Sequence, residues 1–306
     1  MSRPAPVGAI DRSAAEREEP GLIDRLRADA DARVLVVVAD TAPQAGGELP
    51  ALAWAAPEEV ADGAAWAFLG RDGTGAPVLL ASWHADGEPV VAPHGWAPLR
   101  GIGADLPPAE ADAFVAGVSL GRFLGERFCP ACGSATEITL AGWAQRCTGC
   151  GRELFPRTDP AVIVAVESED GERLLLGANA AWGGRMHSAF AGFVEAGESL
   201  ESAVHREIRE EAGVRVTDVR YAGSQGWPYP RSLMLGFHAR AVADGEAHAD
   251  GTEIVDVRWF TRGEIREGLE GRGVGLPGRV SIAHRLLREW AYADGAASHG
   301  ERAGER

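Results

Sequence analysis

One stretch decides the fold of this chain: GFVEAGESLESAVHREIREEAGV, which occupies residues 192–214. Within it, apolar side chains recur every four residues, a spacing that places them on one face of an α-helix. A serine before this run and a glycine after it suit the two ends of such a helix. We therefore predict a helix over 200–212 that packs on a sheet, with Val204, Ile208 and Ala212 as its apolar stripe, Ser199 as N-cap and Gly213 at its C-terminal end.

Three carboxylates share another face of the predicted helix. Glu207, Glu210 and Glu211 stand at positions i, i+3 and i+4, which come together on one side of a helix. Like charges at this spacing repel, whereas a hard divalent cation such as Mg²⁺ or Mn²⁺ would turn the repulsion into attraction. For a bare group of this kind, a solvated acidic face would be the better interpretation.

The glutamates belong to a longer pattern. The stretch fits G-x5-E-x7-R-E-U-x-E-E-x-G-U, where U is a bulky aliphatic residue, at every fixed position. In this it resembles the Nudix hydrolases, which cleave nucleoside diphosphates linked to another moiety with a metal held on a loop–helix–loop. The resemblance implies that Glu207 and Glu211 bind the metal and that Glu210 is a further ligand or the general base. It also implies that Arg206 and Glu198 orient the helix and the loop.

All four cysteines of the chain fall in one short segment, as C-P-A-C, fourteen residues, and C-T-G-C. Two such knuckles at this separation are typical of a site that holds Zn²⁺ with four thiolates. Four thiolates fill the coordination sphere, so the sequence predicts one structural zinc rather than a catalytic one. Two disulfides, free thiols or a ribbon that binds nucleic acid are the alternatives. The predicted ligands are Cys129, Cys132, Cys147 and Cys150.

A second motif, SQGWPYPRS, occupies residues 224–232. Its prolines alternate with aromatic residues, which predicts a stiff, extended strip whose Trp227 and Tyr229 could stack on a base or a nicotinamide ring. A packed loop beside a sheet is the alternative. The strip resembles the S-Q-P-W-P-F-P-x-S motif of the NADH pyrophosphatases, a Nudix branch with a four-cysteine ribbon before its Nudix domain and an extra N-terminal domain. Gly226 and Tyr229 depart from that motif, which leaves affinity and selectivity open.

The resemblance to this branch implies further site residues. Some have a simple structural alternative, which is core packing for Phe155 and a surface position for Arg100 and Glu253. His187, which precedes the Nudix stretch, is interpreted as a loop residue. The implied metal site comprises Ala191, Glu207, Glu211 and Glu253, and the implied substrate site comprises Arg100, Phe155, Phe193, Gln225, Gly226, Trp227, Pro228, Tyr229, Pro230, Arg231, Ser232 and Ala283.

Apolar runs and turn residues predict the rest of the architecture. Short β-type runs indicate a β-rich α+β domain before the cysteines, closed by a helix over 108–125. Strand-like runs around the glutamate helix and a last helix over 280–292 indicate an α/β sandwich, and the resemblance specifies the Nudix α/β/α sandwich. The predicted divisions are a flexible N-terminus (1–30), a non-catalytic, Nudix-like α+β domain (31–125), the zinc ribbon (126–156), the catalytic Nudix domain (157–293) and a disordered tail (294–306).

Composition and charge limit the function classes. The 306 residues carry a formal charge of −15, and all 30 basic residues are arginines. A P-loop needs lysine and is excluded, and the acidity disfavours broad adhesion to nucleic acid or anionic lipid. We expect no contact with membranes and a cytoplasmic protein, because no apolar run would span a bilayer and the N-terminus lacks the apolar core of a signal peptide. The resemblance implies a homodimer.

Together, the motifs and the resemblance imply a metal-dependent enzyme. The expected reaction is hydrolysis of the pyrophosphate bond of NAD(H) to NMN(H) and AMP, with two or three Mg²⁺ or Mn²⁺ ions and one structural Zn²⁺. Removal of the NAD cap from RNA overlaps with this activity. The alternatives are a Nudix hydrolase that prefers ADP-ribose or another dinucleotide, and a non-catalytic zinc-ribbon binding module.

Overall fold

The computed structural model describes residues 10–245 and 247–293. The chain forms two compact units, of which the first contains Met1–Thr158 and Gly226–Arg231 and the second contains Asp159–Gln225 and Ser232–Arg306. The cysteine segment therefore groups with the N-terminal part of the chain, and the glutamate stretch groups with the C-terminal part. The division predicted from the sequence, between residues 156 and 157, lies close to this boundary.

The first unit is built on a five-stranded mixed sheet, whose strands are β1 (Arg33–Val38), β2 (Thr41–Pro43), β3 (Ala65–Arg71), β4 (Pro77–Trp83) and β5 (Trp96–Pro98). They lie in the order β3-β4-β1-β2-β5, and β1 runs parallel to β4 while the other neighbours are antiparallel. β4 is buried along its whole length, because apolar residues on both of its faces pack against other elements.

Three helices accompany this sheet: α1 (Leu22–Arg27), α2 (Leu99–Ile102) and α3 (Pro108–Gly125). α3 has the bounds predicted from the sequence and begins at Pro108, where a missing backbone N–H costs no helical hydrogen bond. Its Phe114 and Val118 are fully buried in a core with Leu35 and Leu80 of the sheet. This long helix therefore covers one face of the sheet and leads directly into the cysteine segment.

The N-terminal segment is more ordered than the sequence predicts. Residues 1–30 are expected to be flexible, yet Leu22 and Leu26 of α1 keep only 2% and 3% exposure. They pack on the face of the sheet opposite α3. The two leucines are one helical turn apart, so a short helix suffices to cover apolar strand residues that would otherwise meet water. The first nine residues and the predicted tail lie outside the described residues.

The cysteine segment forms a three-stranded antiparallel sheet of β6 (Thr136–Thr139), β7 (Ala144–Cys147) and β8 (Glu153–Leu154). Two side chains join it to the rest of the first unit. Trp143 donates its indole N–H to the carbonyl of Phe68 at 2.7 Å, and the buried Gln145 donates to the carbonyl of Phe123 at 2.7 Å. The ribbon is therefore fixed to the N-terminal sheet and to α3.

The second unit contains a seven-stranded sheet, whose strands are β9 (Asp159–Glu167), β10 (Arg173–Asn179), β11 (His187–Ser188), β12 (Phe190–Phe193), β13 (Val216–Trp227), β14 (Ser232–Ala241) and β15 (Ile254–Thr261). The main order is β11-β10-β9-β14-β13, while β12 also pairs with β9 and β15 with β10. β9 and β14 are parallel, with Ser232 opposite Asp159. β9 is therefore the central strand.

Helices cover both faces of this second sheet: α4 (Leu200–Ala212), α5 (Arg262–Leu269) and α6 (Ile282–Tyr292). α4 has the predicted bounds, and its Val204 and Ile208 share a core with Val162 of β9. Leu286 of α6 packs on the other face, with Ile163. Successive residues of β9 thus meet different helices, and the predicted α/β/α sandwich is confirmed. In the ranges described above, no helix is both long and apolar enough to cross a membrane.

Two segments differ from the sequence-based expectation. β13 is not anticipated, because its apolar residues are interrupted by polar residues and glycines. It is an edge strand of the main strand order, and many of its side chains are exposed. The motif at 224–232 is extended only over residues 224–227, which form the end of β13, and over Ser232, which begins β14. It contains the turn between β13 and β14, with a cis peptide bond between Tyr229 and Pro230. Alternating prolines and aromatic residues therefore form a compact corner here.

Candidate functional site

The three glutamates of helix α4 differ in their exposure to solvent. Glu207 and Glu211 keep only 9% and 5% exposure, whereas the side chain of Glu210 is 60% exposed. The helix ends are fixed as predicted, since the Ser199 hydroxyl accepts a backbone N–H and Gly213 ends the helix with a φ of 70°. Two buried carboxylates on one helix destabilise a fold unless hydrogen bonds or a cation compensate them.

Strand β12 lies beside these carboxylates and leaves them space. A Cβ at position 192 would fall on the carboxylate of Glu207, so Gly192 is needed there. The neighbouring Ala191 favours the charged form of Glu211 by a backbone hydrogen bond. Pairing with β9, where Gly192 is opposite Val162, holds β12 in place. The first glycine of the Nudix pattern is thus explained by the room that a carboxylate requires.

Arg206 connects the loop, the helix and β12. Its guanidinium donates two hydrogen bonds to Glu198, at 2.9 and 2.8 Å, and a third to the carbonyl of Phe193 at 2.9 Å. It also donates to Glu207 at 2.8 Å and to Glu210 at 3.2 Å. Two parallel bonds to one carboxylate fix the orientation of both groups. These contacts, together with a backbone N–H donated to Glu198, lower the pKa of Glu198 to about 2.

The electrostatics of the site favour a cation. Burial raises the pKa of Glu211 to about 8, and the charges of Glu207, Glu253 and Asp250 act in the same direction. Burial also raises the pKa of Glu207. One oxygen of Glu211, Oε2, is buried without a hydrogen-bond partner. Because a buried carboxylate oxygen without a donor is satisfied by a divalent cation, the residues present fit a metal.

Glu253, which lies outside the glutamate helix, is close enough to influence the carboxylates of α4. Glu253 is exposed and accepts a hydrogen bond from Asn179 at 3.2 Å, while its charge raises the pKa of both Glu207 and Glu211. The carboxylate oxygens of Glu207, Glu211 and Glu253 are not gathered as closely as the sulfur atoms of the cysteines. In the described part of the chain, the four cysteines are the one group of three or more candidate ligands whose ligand atoms are already gathered for a metal.

His187 lies on a short strand and not in the loop that the sequence predicts. It belongs to β11, keeps 8% exposure, and has its Nε2 3.0 Å from a carboxylate oxygen of Asp256. Its ring meets Phe260 edge to face at 5.1 Å. The segment is also anchored by the backbone N–H of His187, which donates to the carbonyl of Gly275. The histidine is thus a packed residue of the second sheet.

The four cysteines form the metal site of the ribbon. Their sulfur atoms all lie within 4.8 Å of one another, with 3.8 Å between Cys129 and Cys150 and 3.4 Å between Cys132 and Cys147. A tetrahedron with Zn–S bonds of about 2.3 Å has edges of about 3.8 Å, so the arrangement fits Zn²⁺. All four cysteines are free thiols, not disulfides. Hydrogen bonds from Ser134 lower the pKa of Cys132, which favours the thiolate that zinc requires, whereas the neighbouring cysteines raise the pKa of Cys150.

Arginines hold the aromatic residues of the second motif. The guanidinium of Arg100, on α2, lies 3.7 Å from the ring centre of Tyr229 and 5.4 Å from that of Trp227. The two rings meet edge to face at 5.1 Å, and Arg122 of α3 lies 5.9 Å from Tyr229. Burial and the nearby Asp40 raise the pKa of Tyr229 to about 12. Tyr229 therefore anchors the turn.

The two departures from the family motif have local causes. A Cβ at Gly226 would lie 3.3 Å from Val115 of α3, which is tighter than ordinary contact. The close approach of α3 thus favours glycine where the motif has proline. At position 229, the ring that the motif requires is kept and is held by the surrounding charged side chains. Pro228 is buried in this corner, while Pro230 and Arg231 are exposed.

Three predicted substrate residues belong to the second unit and lie near the start of α6 or on β14. Gln225 donates to the carbonyl of Val280 at 2.7 Å and accepts the backbone N–H of Ile282 at 2.6 Å. Both ends of its amide are thus engaged within the protein. Ser232 is 6% exposed at the start of β14, and Ala283 is 4% exposed in the first turn of α6. Gln225 therefore serves to fix the N-terminus of α6.

Two aromatic residues that are predicted to contact the substrate are exposed to solvent. Phe155, in the first unit, is 45% exposed, and Phe193, in the second unit, is 53% exposed. Core packing, the structural alternative for Phe155, does not fit this exposure. An exposed ring is suited to stack on a planar ligand.

Sequence reasoning missed some of the residues around these sites. Asn179 and Asp250 lie around Glu253 and Glu211, and Asp40 and Arg122 lie around Tyr229. Each is a single polar residue that stands outside the motifs identified in the sequence. Spacing patterns therefore give no signal for these residues, and only the fold brings them into place.

Comparisons with known proteins agree with this geometry. The family model described as NUDIX domain matches residues 157–275, and the one described as NADH pyrophosphatase zinc ribbon domain matches residues 126–155. The NAD-capped RNA hydrolase NudC of Chromobacterium violaceum is 40% identical over 194 residues, which cover 63% of this chain and 69% of that protein. The NAD-capped RNA hydrolase NUDT12 of Homo sapiens is 40% identical over 175 residues, which cover 54% of this chain and 38% of that protein.

A mycobacterial relative is more similar in sequence. The NAD-capped RNA hydrolase NudC of Mycobacterium tuberculosis H37Rv is 47% identical over 176 residues, which cover 55% of this chain. The chain spans about half of the length of that protein, 56%. The two matched domains contain the glutamate helix and the four cysteines, respectively. The chain belongs to the Nudix family, in the group with an NADH pyrophosphatase zinc ribbon.

Proposed function

We propose that this protein hydrolyses the pyrophosphate bond of NAD(H) to NMN(H) and AMP, and removes NAD caps from RNA. The observation that carries the proposal is the buried Glu211, whose free oxygen and raised pKa mark a place for a divalent cation in the Nudix pattern. The names of the relatives support the choice of substrate, since three similar proteins are NAD-capped RNA hydrolases.

The glutamates of α4 would hold the catalytic cations. Glu207 and Glu211 offer buried carboxylate oxygens, Ala191 offers its backbone, and Glu253 adds a carboxylate from the residue before β15. We propose Mg²⁺ or Mn²⁺ as the metal, because both prefer such oxygen ligands. When bound, the metal neutralises phosphate oxygens and lowers the pKa of the attacking water.

The remaining residues of the pattern position these ligands and move the proton. Arg206 holds Glu207 while its bidentate contact with Glu198 locks the loop. Glu210 is exposed and only weakly held by Arg206 at 3.2 Å, so it is free to act as a further ligand or to take the proton of the water. A zinc ion in the ribbon would be held by the four cysteine thiolates, which leave no open position, and it would be structural rather than catalytic.

Aromatic and backbone groups would bind the substrate. We propose that Trp227 stacks on a ring of the substrate, with Tyr229 and Arg100 keeping it in place. Phe155 in the first unit and Phe193 in the second unit are the exposed rings of the predicted set, whereas Trp227 and Tyr229 are partly buried. The backbone around Ala283 and the turn at 226–231 complete the proposed contacts.

Assembly and location rest on different grounds. We propose a homodimer, as the resemblance to the family branch implies, and a cytoplasmic protein, as expected from the sequence. Sedimentation of the purified chain checks the dimer directly. A single species at the mass of one chain, 32.2 kDa, would contradict it.

A substrate panel tests the proposed function. Turnover is measured on NADH, NAD⁺, ADP-ribose and NAD-capped RNA, with Mg²⁺ and with Mn²⁺. We expect AMP from NADH and NAD⁺, and release of the cap from RNA, all lost in Glu207→Gln. The matched control is Glu201→Gln, which removes an exposed carboxylate from the first turn of the same helix.

The outcomes separate the alternatives. Preference for ADP-ribose over both nicotinamide substrates would identify a different Nudix activity. Absence of turnover on all four, with a folded and zinc-loaded protein, would identify a non-catalytic binding module. Equal activity of Glu207→Gln and wild type would contradict the metal assignment.

A further inference from the structure

One tryptophan of the second unit is left open to solvent. The described residues contain all nine tryptophans of the chain, and among them Trp182 alone is exposed, with 46% of its surface accessible. Six of the other tryptophans have an arginine guanidinium over the ring, whereas no arginine in the described part of the chain covers Trp182. Both the area and the free face of this ring suit stacking on a planar ligand.

The turn that carries Trp182 is held next to the candidate metal site. It is the 3-10 turn Ala180–Trp182, and the backbone N–H of Ala180 donates to the carbonyl of Glu253 at 2.8 Å. Asn179, the N-cap of the turn, donates its side-chain amide to the carboxylate of Glu253 at 3.2 Å. Trp182 therefore stands two residues from a direct contact with a proposed ligand of the catalytic cation.

An arginine of the same loop returns toward the tryptophan. The Nε of Arg185 lies 3.8 Å from the position that a Cβ on Gly183 would take, so its side chain folds back to the residue beside Trp182. Arg185 is exposed, and its guanidinium forms neither an ion pair nor a hydrogen bond with a described residue. A free cation and an open aromatic face are thus neighbours on this loop.

The loop is also anchored at its far end. Met186 pairs with Gly275 as a parallel bridge, and the backbone N–H of His187 donates to the carbonyl of Gly275 at 2.9 Å. With Ala180 fixed at one end and Met186 at the other, the segment between them is short and has little freedom to lose. A ligand would therefore meet a preorganised surface, which lowers the entropic cost of binding.

The surroundings of the loop are acidic. Glu253 is exposed, Asp250 accepts its backbone N–H, and Asp256 lies beside His187. These charges repel a free polyanion, so Arg185 alone would not gather nucleic acid from solution. A strand that is already held at the metal site would reach the loop without that barrier.

We propose that Trp182 and Arg185 bind the RNA that follows an NAD cap, with one base on the indole and one phosphate at the guanidinium. The inference rests on the proposed function, because the cap must be held at the glutamates of α4 for the strand to reach this loop. NADH ends at its adenosine, whereas capped RNA continues beyond it. Aromatic stacking beside a cation holds single strands without reading their sequence.

Kinetics on two substrates test this proposal. The substrates are NADH and a single-stranded RNA of five nucleotides with an NAD cap, both cleaved by the full-length, zinc-loaded protein with Mn²⁺. Trp182→Ala should lower the ratio of kcat/KM for capped RNA to kcat/KM for NADH by about tenfold, because one base loses its stacking partner. Trp182→Phe should retain most of the ratio, since it keeps a ring.

Arg185→Ala reports on the phosphate contact. For capped RNA, the slope of log KM against log salt concentration should fall by about 0.7, the value expected when one phosphate contact to a single strand is lost. The matched controls are Tyr292→Ala and Arg288→Ala, an exposed aromatic residue and an exposed arginine of α6. Both controls should keep the wild-type substrate ratio and the wild-type salt slope.

A second substrate isolates the stacking. In a capped strand whose nucleotides after the adenosine are abasic, the phosphates remain but no base can meet Trp182. The abasic strand and Trp182→Ala should each lower kcat/KM, and together they should lower it no further than either alone, because both remove the same contact. Losses that simply multiply would contradict stacking on Trp182.

Two further results would overturn the proposal: equal losses on NADH and capped RNA, which would place Trp182 against the dinucleotide itself, or a wild-type ratio in both Trp182→Ala and Arg185→Ala. Failure of the proposed function looks different, since neither substrate would then be cleaved. The intact capped RNA, labelled with fluorescein at its 3′ end, would in that case report binding by anisotropy. Equal Kd values for wild type and Trp182→Ala would contradict the inference.

Discussion

At the scale of single residues, Glu211 gives the strongest evidence for a cation at the site. It is almost fully buried, its Oε2 has no donor, and neighbouring acids oppose its charge. A protein that evolved only to be stable would replace such a residue with an apolar one. Its presence on the same helix as Glu207 is therefore best explained by a bound cation.

The raised pKa of Glu211 predicts how metal binding depends on pH. Since a proton and a cation compete for the carboxylate, the apparent affinity for Mn²⁺ should rise by about tenfold per pH unit below a pH of about 8, and then level off. Titration calorimetry in buffers of different ionisation enthalpy should detect close to one proton released per site at pH 7. A pH-independent affinity between pH 6 and 8 would contradict this assignment.

Gly192 leads to a steric prediction. Gly192→Ala should reduce turnover by roughly a hundredfold, because the new Cβ would displace the carboxylate of Glu207 from its position. The matched control is Gly278→Ala, in the same unit, where a Cβ meets open space. The comparison uses turnover on NADH together with thermal melting. Unchanged turnover in Gly192→Ala would show that Glu207 has room to move.

At the scale of elements, the glutamate helix and the ribbon could be predicted from the sequence, but the corner at 226–231 could not. α4 and α3 have the predicted bounds because a cap, a periodic apolar face and a terminating residue all agree. β13 and the corner lack such local agreement. Their shape depends on Val115, Arg100 and Asp40, which the fold brings in from elsewhere.

The ribbon leads to a stability prediction. Cys147→Ser should lose the bound zinc and lower the melting temperature by at least about 5 °C, because metal ligation stabilises the folded ribbon. Zinc content by atomic absorption and melting by circular dichroism are the measurements. Glu153→Gln, an exposed substitution on β8 of the same small sheet, should change neither. Full zinc content in Cys147→Ser would contradict the four-ligand site.

Arg100 tests the role of the corner. Arg100→Ala should raise the KM for NADH about fivefold with little change in kcat, since it releases Tyr229 and Trp227 without touching the metal ligands. Arg100→Lys should restore part of the loss by keeping a cation over the ring. Arg122→Ala, whose guanidinium is 5.9 Å from Tyr229, should have a smaller effect. A loss confined to kcat would contradict a role in positioning.

At the scale of the whole molecule, the negative net charge is compatible with a phosphate-bearing substrate if cations are bound. A chain with a formal charge of −15 and no lysine would repel a dinucleotide. Divalent cations bound at the glutamates would supply the positive charge that the proposed reaction needs. The cation site could be predicted from the sequence, because the glutamates that form it lie within one short motif. The sequence could not reveal the roles of Asn179 and Asp250, because these depend on contacts between segments that are distant along the chain.

The measurement that tests the central claim most directly compares wild type with Glu211→Gln on NADH in the presence of Mn²⁺, with both products quantified by chromatography. We predict equal amounts of AMP and NMNH from the wild type, and at least about a hundredfold less from Glu211→Gln, with unchanged zinc content and melting temperature. Intact NADH with the wild type, or undiminished cleavage by Glu211→Gln, would contradict metal-dependent hydrolysis at this site.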